Sequence, residues 1–127
     1  MIKPTILIID DEPHLLRSLS LILEDDYHIL TANDGREGSM LFKSNPSVSL
    51  ILLDLIMPVM NGAETLAIIR EASRDVKVII MTGDANHAYA RECADLNIQG
   101  CVEKPFDIPK LLMQLKQELG IGEFTNK

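Results

Sequence analysis

Two apolar runs that each end abruptly in a carboxylate restrict the fold of this chain more than any other feature of its sequence. Thr5–Ile9 is aliphatic and β-branched, and the acidic residues 10–12 follow it at once. Residues 49–53 are almost wholly apolar and are followed by Asp54. Runs without polar alternation are typical of strands buried on both faces, as in parallel sheets covered by helices. The chain is therefore predicted to be an α/β protein with a parallel sheet.

The rest of the chain alternates between short apolar runs and segments with helical periodicity. The pattern predicts further strands at 27–31, 77–81 and 99–102, and helices at 13–23, 35–44, 63–73, 86–96 and 107–119. Five strand–helix pairs imply right-handed crossovers, so we expect a five-stranded parallel sheet with helices on both faces. In such folds, ligands bind outside the carboxyl ends of the strands.

The composition of the 127-residue chain suits one domain, which we expect at residues 1–120 with a short tail at 121–127. A net charge of −7 without any Lys/Arg cluster argues against direct nucleic-acid binding. No apolar stretch is long enough for a signal peptide or a membrane span, which favours a cytoplasmic protein. Cys93 and Cys101 lack the CxxC spacing of zinc and redox sites, so we expect reduced thiols that are buried or inert.

Five residues with chemically active side chains lie within two residues of the ends of predicted strands: Asp10, Asp11, Asp54, Thr82 and Lys104. Because parallel strands end at the same edge of a sheet, these side chains should converge. Carboxylates held this close raise one another's pKa unless a cation joins them. Mg²⁺ suits such oxygen ligands, whereas Ca²⁺ is disfavoured by the lack of an EF-hand loop and Zn²⁺ by the lack of nearby His or Cys.

A pocket of this composition can carry out nucleophilic chemistry on phosphorus. A carboxylate can attack a phosphoryl group to give an acyl phosphate, while a metal ion and a Lys neutralise the phosphoryl oxygens. A Thr hydroxyl can donate a hydrogen bond to one of those oxygens. Glu12, by contrast, is interpreted as an acid at a helix start, where the helix dipole favours it.

These residues belong to a series of short motifs that resembles the receiver domain of bacterial two-component response regulators. The resemblance extends from the first strand through the last helix. It implies a (βα)5 flavodoxin-like fold, similar to chemotaxis regulators, with strand order 2-1-3-4-5. The motifs are Ile8-Ile9-Asp10-Asp11-Glu12-Pro13, Leu53-Asp54, Met57-Pro58, Asn61-Gly62, Thr82-Gly83 and Lys104-Pro105-Phe106.

The resemblance also implies a role for each residue of the pocket. Asp54 would accept a phosphoryl group from a phosphohistidine on a sensor histidine kinase or a phosphotransfer protein. Asp11 would bind Mg²⁺ directly and Asp10 partly through water. The carbonyl of Ile56 would complete the protein ligands together with Asp54. Lys104 would pair with the phosphoryl group or with Asp54.

Thr82 would move to hydrogen-bond the phosphoryl group and would thereby switch an output surface. That surface would consist of the helix at 86–96, the fifth strand and the last helix, and it could also form a homodimer. The peptide bond between Lys104 and Pro105 is expected to be cis, as it commonly is in the family. The effector, the cognate kinase and the oligomeric state do not follow from the resemblance.

One position departs from the family pattern. Cys101 lies where receivers usually carry a large ring that turns inward when the threonine moves, and a thiol is too small to report that movement in the same way. Tyr89 is a candidate substitute. Gly83, Asp84 and Ile56 are expected to flank the phosphoryl group and to control its access and lifetime.

Three other functions stay open at this point. A Mg²⁺-dependent phosphatase acting on small molecules would also use an aspartyl nucleophile, but Ile56 lies where dehalogenase-like phosphatases carry a second Asp. A flavin or dinucleotide module is disfavoured because no GxGxxG follows the first strand. A degenerate receiver would act as an interaction module without phosphorylation. The sequence also does not decide between a stand-alone receiver and one excised from a larger regulator or hybrid kinase.

Overall fold

The computed structural model describes residues 3–57, 60–83 and 96–120. The predicted helix at 86–96 and the tail at 121–127 lie, apart from residue 96, outside the described residues. Nine elements are described, and nearly all begin and end within a residue of the predicted positions. They are β1 (Thr5–Ile9), α1 (Pro13–Leu23), β2 (His28–Ala32), α2 (Gly35–Ser44), β3 (Val48–Asp54), α3 (Gly62–Ala72), β4 (Lys77–Thr82), β5 (Gly100–Glu103) and α4 (Ile108–Leu119).

The strands form one parallel sheet in the order β2-β1-β3-β4-β5, which confirms the fold class implied by the resemblance. β3 and β4 run one residue further than predicted. Asp54 is paired with Met81, and Thr82 is paired with Glu103. The backbone ladder therefore extends into the polar residues, because neighbouring strands supply hydrogen-bond partners there. Asp54 and Thr82 are the last residues of their strands rather than the first residues after them.

The sheet separates two hydrophobic clusters, one on each face. The central strands β1, β3 and β4 send alternate side chains into each cluster, which explains their nearly unbroken apolar sequences. Leu66 and Ile69 of α3 and Phe42 of α2 complete one cluster. Leu19 of α1 and Leu115 of α4 belong to the other. Helices thus cover both faces and leave the carboxyl edge of the sheet for a site.

Local sequence fixes the ends of α4 as predicted. Asp107 is the N-cap residue, and its side chain accepts a hydrogen bond from the backbone N–H of Lys110 at 3.2 Å. Gly120 ends the helix with φ of 72°, a left-handed conformation that favours glycine. The Lys104–Pro105 peptide bond is cis, as expected. Within the described ranges, we find no helix with the length and apolar character needed to span a membrane.

Candidate phosphoacceptor site

Backbone hydrogen bonds that continue the sheet hold the predicted site residues at its carboxyl edge. The N–H of Asp10 donates to the carbonyl of Ala32 at 3.1 Å, one residue beyond the end of β1. The N–H of Lys104 donates to the carbonyl of Thr82 at 2.8 Å, one residue beyond the end of β5. Asp54 is itself paired within the sheet. These residues are therefore positioned by the rigid sheet rather than by flexible loops.

The ammonium group of Lys104 joins three carboxylates across the pocket. Its Nζ lies 2.7 Å from Oδ2 of Asp10, 3.3 Å from Oε1 of Glu12 and 3.4 Å from Oδ2 of Asp54. The Asp10 and Asp54 side chains are only 0% and 6% exposed, whereas that of Glu12 is 63% exposed. The pocket therefore has a buried floor of two aspartates and an exposed glutamate at its mouth.

The buried carboxylates are electrostatically strained. Burial, reinforced by the charge of Asp10, raises the pKa of Asp54 to about 6, although Lys104 and the N–H of Ile56 oppose the rise. Burial also raises the pKa of Asp10 despite its hydrogen bond from Lys104. For Lys104, burial acts to lower the pKa, but its hydrogen bond to Asp10 and the surrounding carboxylates outweigh burial and raise it. Negative charge thus exceeds what one ammonium group can balance.

The residues present fit a hard divalent cation. Carboxylate oxygens of Asp10, Asp11 and Glu12 all lie within 4.8 Å of one another, and two of these side chains are exposed. Clustered oxygen donors around uncompensated negative charge are what Mg²⁺ requires. Asp54 is connected to this cluster through Lys104. Participation of Asp54 and of the Ile56 carbonyl as ligands stays a prediction.

Sequence reasoning missed the contact that Glu12 makes in this pocket. Glu12 is the N-cap residue of α1, as expected for a helix-start acid, yet its side chain makes no capping hydrogen bond among the described residues. It contacts Lys104 instead, which lies 92 residues further along the chain. Its position directly after two metal-type aspartates was the one signal in the sequence that could have suggested this.

The start of α3 is held close to Asp54. Asn61 and Glu64 form a reciprocal capping box at the start of α3, which explains the Asn-Gly pair as loop geometry. The N–H of Gly62 donates to the carbonyl of Leu55 at 2.8 Å. A Cβ on Gly62 would lie 2.5 Å from the backbone oxygen of Asp54, so only glycine allows this approach.

The structure also describes four other residues that the sequence analysis singled out. Thr82 is buried, Gly83 is exposed, and Ile56 is 54% exposed while its N–H donates to Oδ1 of Asp54 at 3.3 Å. Cys101 is an exposed free thiol on the edge strand β5. The sequence predicted thiols that are either buried or inert; because Cys101 is exposed, only the second alternative stays a prediction for it.

Partial burial and the charge of Glu103 nevertheless raise the pKa of the Cys101 thiol, which agrees with low reactivity. Asp84, Tyr89 and Cys93 lie outside the described residues, so their expected roles stay predictions.

The fold and the site together define a class of protein. A doubly wound parallel sheet places an aspartate at the end of its central strand β3, next to a lysine and an acidic cluster suited to Mg²⁺. This arrangement is typical of flavodoxin-like domains whose chemistry takes place at the topological switch point.

Comparison with known proteins identifies the family within that class. The family model of the response regulator receiver domain matches residues 6–116, so the chain belongs to the response regulator receiver domain family. It is 37% identical over 112 residues to the transcriptional regulatory protein CpxR homolog of Haemophilus influenzae, covering 87% of this chain and 48% of that protein. It is thus a receiver domain of the kind found in two-component signalling proteins.

Solved structures agree with this assignment. A response regulator receiver domain protein (CheY-like) from Methanospirillum hungatei superimposes with a TM-score of 0.87 at 28% identity, over 98% of this chain and 99% of that one. CheY in the CheX–CheY–BeF3–Mg complex from Borrelia burgdorferi gives a TM-score of 0.82 at 26% identity, over 90% and 87% of the two chains. The chain spans about half the length, or less, of the curated relatives it matches.

Proposed function

We propose that this chain is a phosphoacceptor receiver that takes a phosphoryl group from a phosphohistidine onto Asp54 with the help of Mg²⁺. The donor would be a sensor histidine kinase or a histidine phosphotransfer protein. One observation carries the proposal: the Lys104 ammonium lies between buried Asp10 and buried Asp54 at the carboxyl edge of the sheet. The contact supports a pocket in which Asp54 would be the nucleophile, Lys104 the cation and Asp10 a metal ligand.

The transfer would need little covalent chemistry from the protein. A carboxylate oxygen of Asp54 forms a bond to phosphorus while the bond between phosphorus and the histidine nitrogen of the donor breaks, leaving a neutral imidazole after protonation. Lys104 balances the charge of the incoming phosphoryl oxygens, and the hydroxyl of Thr82 can donate to one of them. Asp10, Asp11 and Asp54, with the Ile56 carbonyl, would hold Mg²⁺, which would supply further neutralisation of those oxygens.

The electrostatic strain of the pocket also supports the proposed binding of Mg²⁺ and a phosphoryl group. Two buried carboxylates with raised pKa values are costly for the metal-free protein. Cations and hydrogen-bond donors brought into the pocket relieve that cost. The related CheY of Borrelia burgdorferi forms a complex that contains BeF3 and Mg, and we expect this chain to bind the same pair.

The output would be a change in surface rather than a released product. Phosphorylation would bias Thr82, the segment at 84–95, β5 and α4, and this face could also support a homodimer. Cys101 replaces the aromatic residue expected on β5, so the rearrangement cannot depend on burying a ring there. We expect the protein to act in the cytoplasm. The effector or output domain could be part of a longer chain or a separate protein.

Intact-mass spectrometry after incubation with acetyl phosphate tests this proposal. Native protein with Mg²⁺ should gain the mass of one phosphoryl group, and Asp54→Asn or omission of Mg²⁺ should abolish the gain. Asp25→Asn, which removes an exposed aspartate after α1, is the matched control and should react like native protein. A native chain that gains no mass with acetyl phosphate or with a phosphorylated kinase would refute the phosphoacceptor role.

A further inference from the structure

Glu12 occupies an unusual position for a helix-start acid. It is the N-cap residue of α1, where a carboxylate ordinarily accepts hydrogen bonds from the first N–H groups of the helix. Its side chain makes no such bond among the described residues, and it reaches Nζ of Lys104 at 3.3 Å instead. Its own N–H donates to Oδ1 of Asp10 at 2.9 Å. Glu12 is therefore tied to the buried pocket by both its backbone and its carboxylate.

The contact must be understood together with the other partners of Lys104. Asp10 and Asp54 are buried, and the sheet holds their backbones, so their carboxylates have little room to move away from the ammonium group. Glu12 is 63% exposed and can swing into solvent at little cost. It is thus the one partner of Lys104, among those that the structure describes, that an incoming anion can displace.

We infer that Glu12 is a positioning residue that holds Lys104 at the mouth of the pocket and competes with the phosphoryl donor for it. The inference rests on the proposed phosphoacceptor function. A phosphoryl oxygen that approaches Lys104 must replace the Glu12 carboxylate. It must also approach against the negative charge of Glu12. Both effects penalise highly charged donors more than weakly charged ones, so Glu12 sets a preference among donors by their charge.

The test compares Glu12→Gln with native protein at saturating Mg²⁺, using two small donors of different charge. Acetyl phosphate carries more negative charge than phosphoramidate at neutral pH. At low salt, we expect the second-order rate constant of Asp54 phosphorylation by acetyl phosphate to rise about three- to tenfold in Glu12→Gln, since a unit charge a few ångströms away acts partly through water. The rise should be smaller with phosphoramidate, and salt should reduce it.

Two variants separate this mechanism from general effects. Glu71→Gln removes the same charge from an exposed position in the last turn of α3 and should leave both rates unchanged. Glu12→Asp keeps the charge on a shorter side chain and should give a rate nearer to that of native protein than to that of Glu12→Gln. A change that affected both donors equally at every salt concentration would indicate a merely structural role and would overturn the inference.

A double-mutant cycle in metal-free buffer gives a readout that does not depend on phosphorylation. Glu12→Gln should change the melting temperature of native protein and of Lys104→Gln by different amounts. Relative to its effect in the Lys104→Gln background, where the ion pair is already absent, it should lower the melting temperature of native protein by about 1–3 °C more. Zero coupling would overturn the contact. The two failures are distinguishable: unreactive native protein refutes the proposed function, whereas reactive native protein with an equally reactive Glu12→Gln refutes only the role of Glu12.

Discussion

Replacing Asp54, the proposed phosphoacceptor, with asparagine should stabilise the metal-free protein at neutral pH. The carboxylate is 6% exposed and lies in the field of Asp10, and its pKa is raised to about 6. A buried group with a raised acid pKa costs stability whenever it is ionised. Asparagine has nearly the same shape, and its side-chain oxygen can still accept the N–H of Ile56. The substitution therefore removes a charge without opening a cavity.

The magnitude follows from the size of the pKa shift. A rise from 3.8 to about 6 is roughly two pKa units, and each unit corresponds to about 1.4 kcal/mol, which gives about 3 kcal/mol. The native state binds the proton more tightly than the unfolded chain. The cost is therefore absent below about pH 4, grows between about pH 4 and pH 6, and is fully present above pH ~7. Asp10 and Asp54 interact, so the pH profile belongs to the pair.

Urea denaturation in the presence of a chelator, repeated across this pH range, measures the effect. The free energy of unfolding of Asp54→Asn minus that of native protein should increase by about 3 kcal/mol between about pH 4 and pH 7. Asp25→Asn, an exposed control, should show a much smaller change. Added Mg²⁺ should narrow the difference by stabilising native protein more. A difference that does not vary with pH would show that the Asp54 carboxylate is not strained, and the electrostatic reasoning would be wrong.

Substitutions at Arg70, Gly62 and Lys104 test other parts of the structure. Arg70→Met removes a buried guanidinium that donates to four backbone carbonyls. It should lower the free energy of unfolding, measured in urea, by about 2–4 kcal/mol. Arg70→Lys should recover only part of that free energy. Gly62→Ala places a Cβ against the Asp54 carbonyl and should lower the free energy of unfolding by about 1–3 kcal/mol in the same urea assay. A Cβ at Gly83 has no described atom within 4 Å, so Gly83→Ala should change that free energy by less than about 0.5 kcal/mol. Lys104→Met leaves the buried carboxylates without their cation, so it should cost about 3–5 kcal/mol in chelator at neutral pH and progressively less on acidification.

Most of the fold and of the pocket could be predicted because both depend on the same pattern. Unbroken apolar runs identify strands buried on both faces, and the polar residue that ends each run lies at the carboxyl edge. Asp10, Asp54, Thr82 and Lys104 could all be placed near that edge in this way. The structure brings the side chains of Asp10, Asp54 and Lys104 together and joins Thr82 to Lys104 through the backbone.

The contacts of long, flexible side chains could not be predicted in this way. Glu12 is exposed, so no hydrophobic period fixes the direction of its carboxylate, and its partner Lys104 is distant in sequence. Arg70 follows Leu66 by four residues and therefore lies on the buried face of α3. Its acceptors include the carbonyls of Leu96 and Asn97. These residues lie in an irregular segment, and hydrophobic periodicity does not predict the path of such a segment.

The position of Lys104 gives a reason to expect that phosphorylation of Asp54 would change the edge strand β5. The Lys104 side chain reaches Asp54, while its backbone N–H is bonded to the carbonyl of Thr82 directly after β5. A phosphoryl group on Asp54 would attract the Lys104 ammonium and the Thr82 hydroxyl. These side chains belong to the two residues that the backbone hydrogen bond joins. β4 and β5 are paired through Thr82 and Glu103, and Cys101 is exposed on β5. A displacement of Thr82 or Lys104 would therefore act first on β5. In the proposed function, the signal would therefore reach the surface through the β4–β5 pairing, without a ring at Cys101 to carry it.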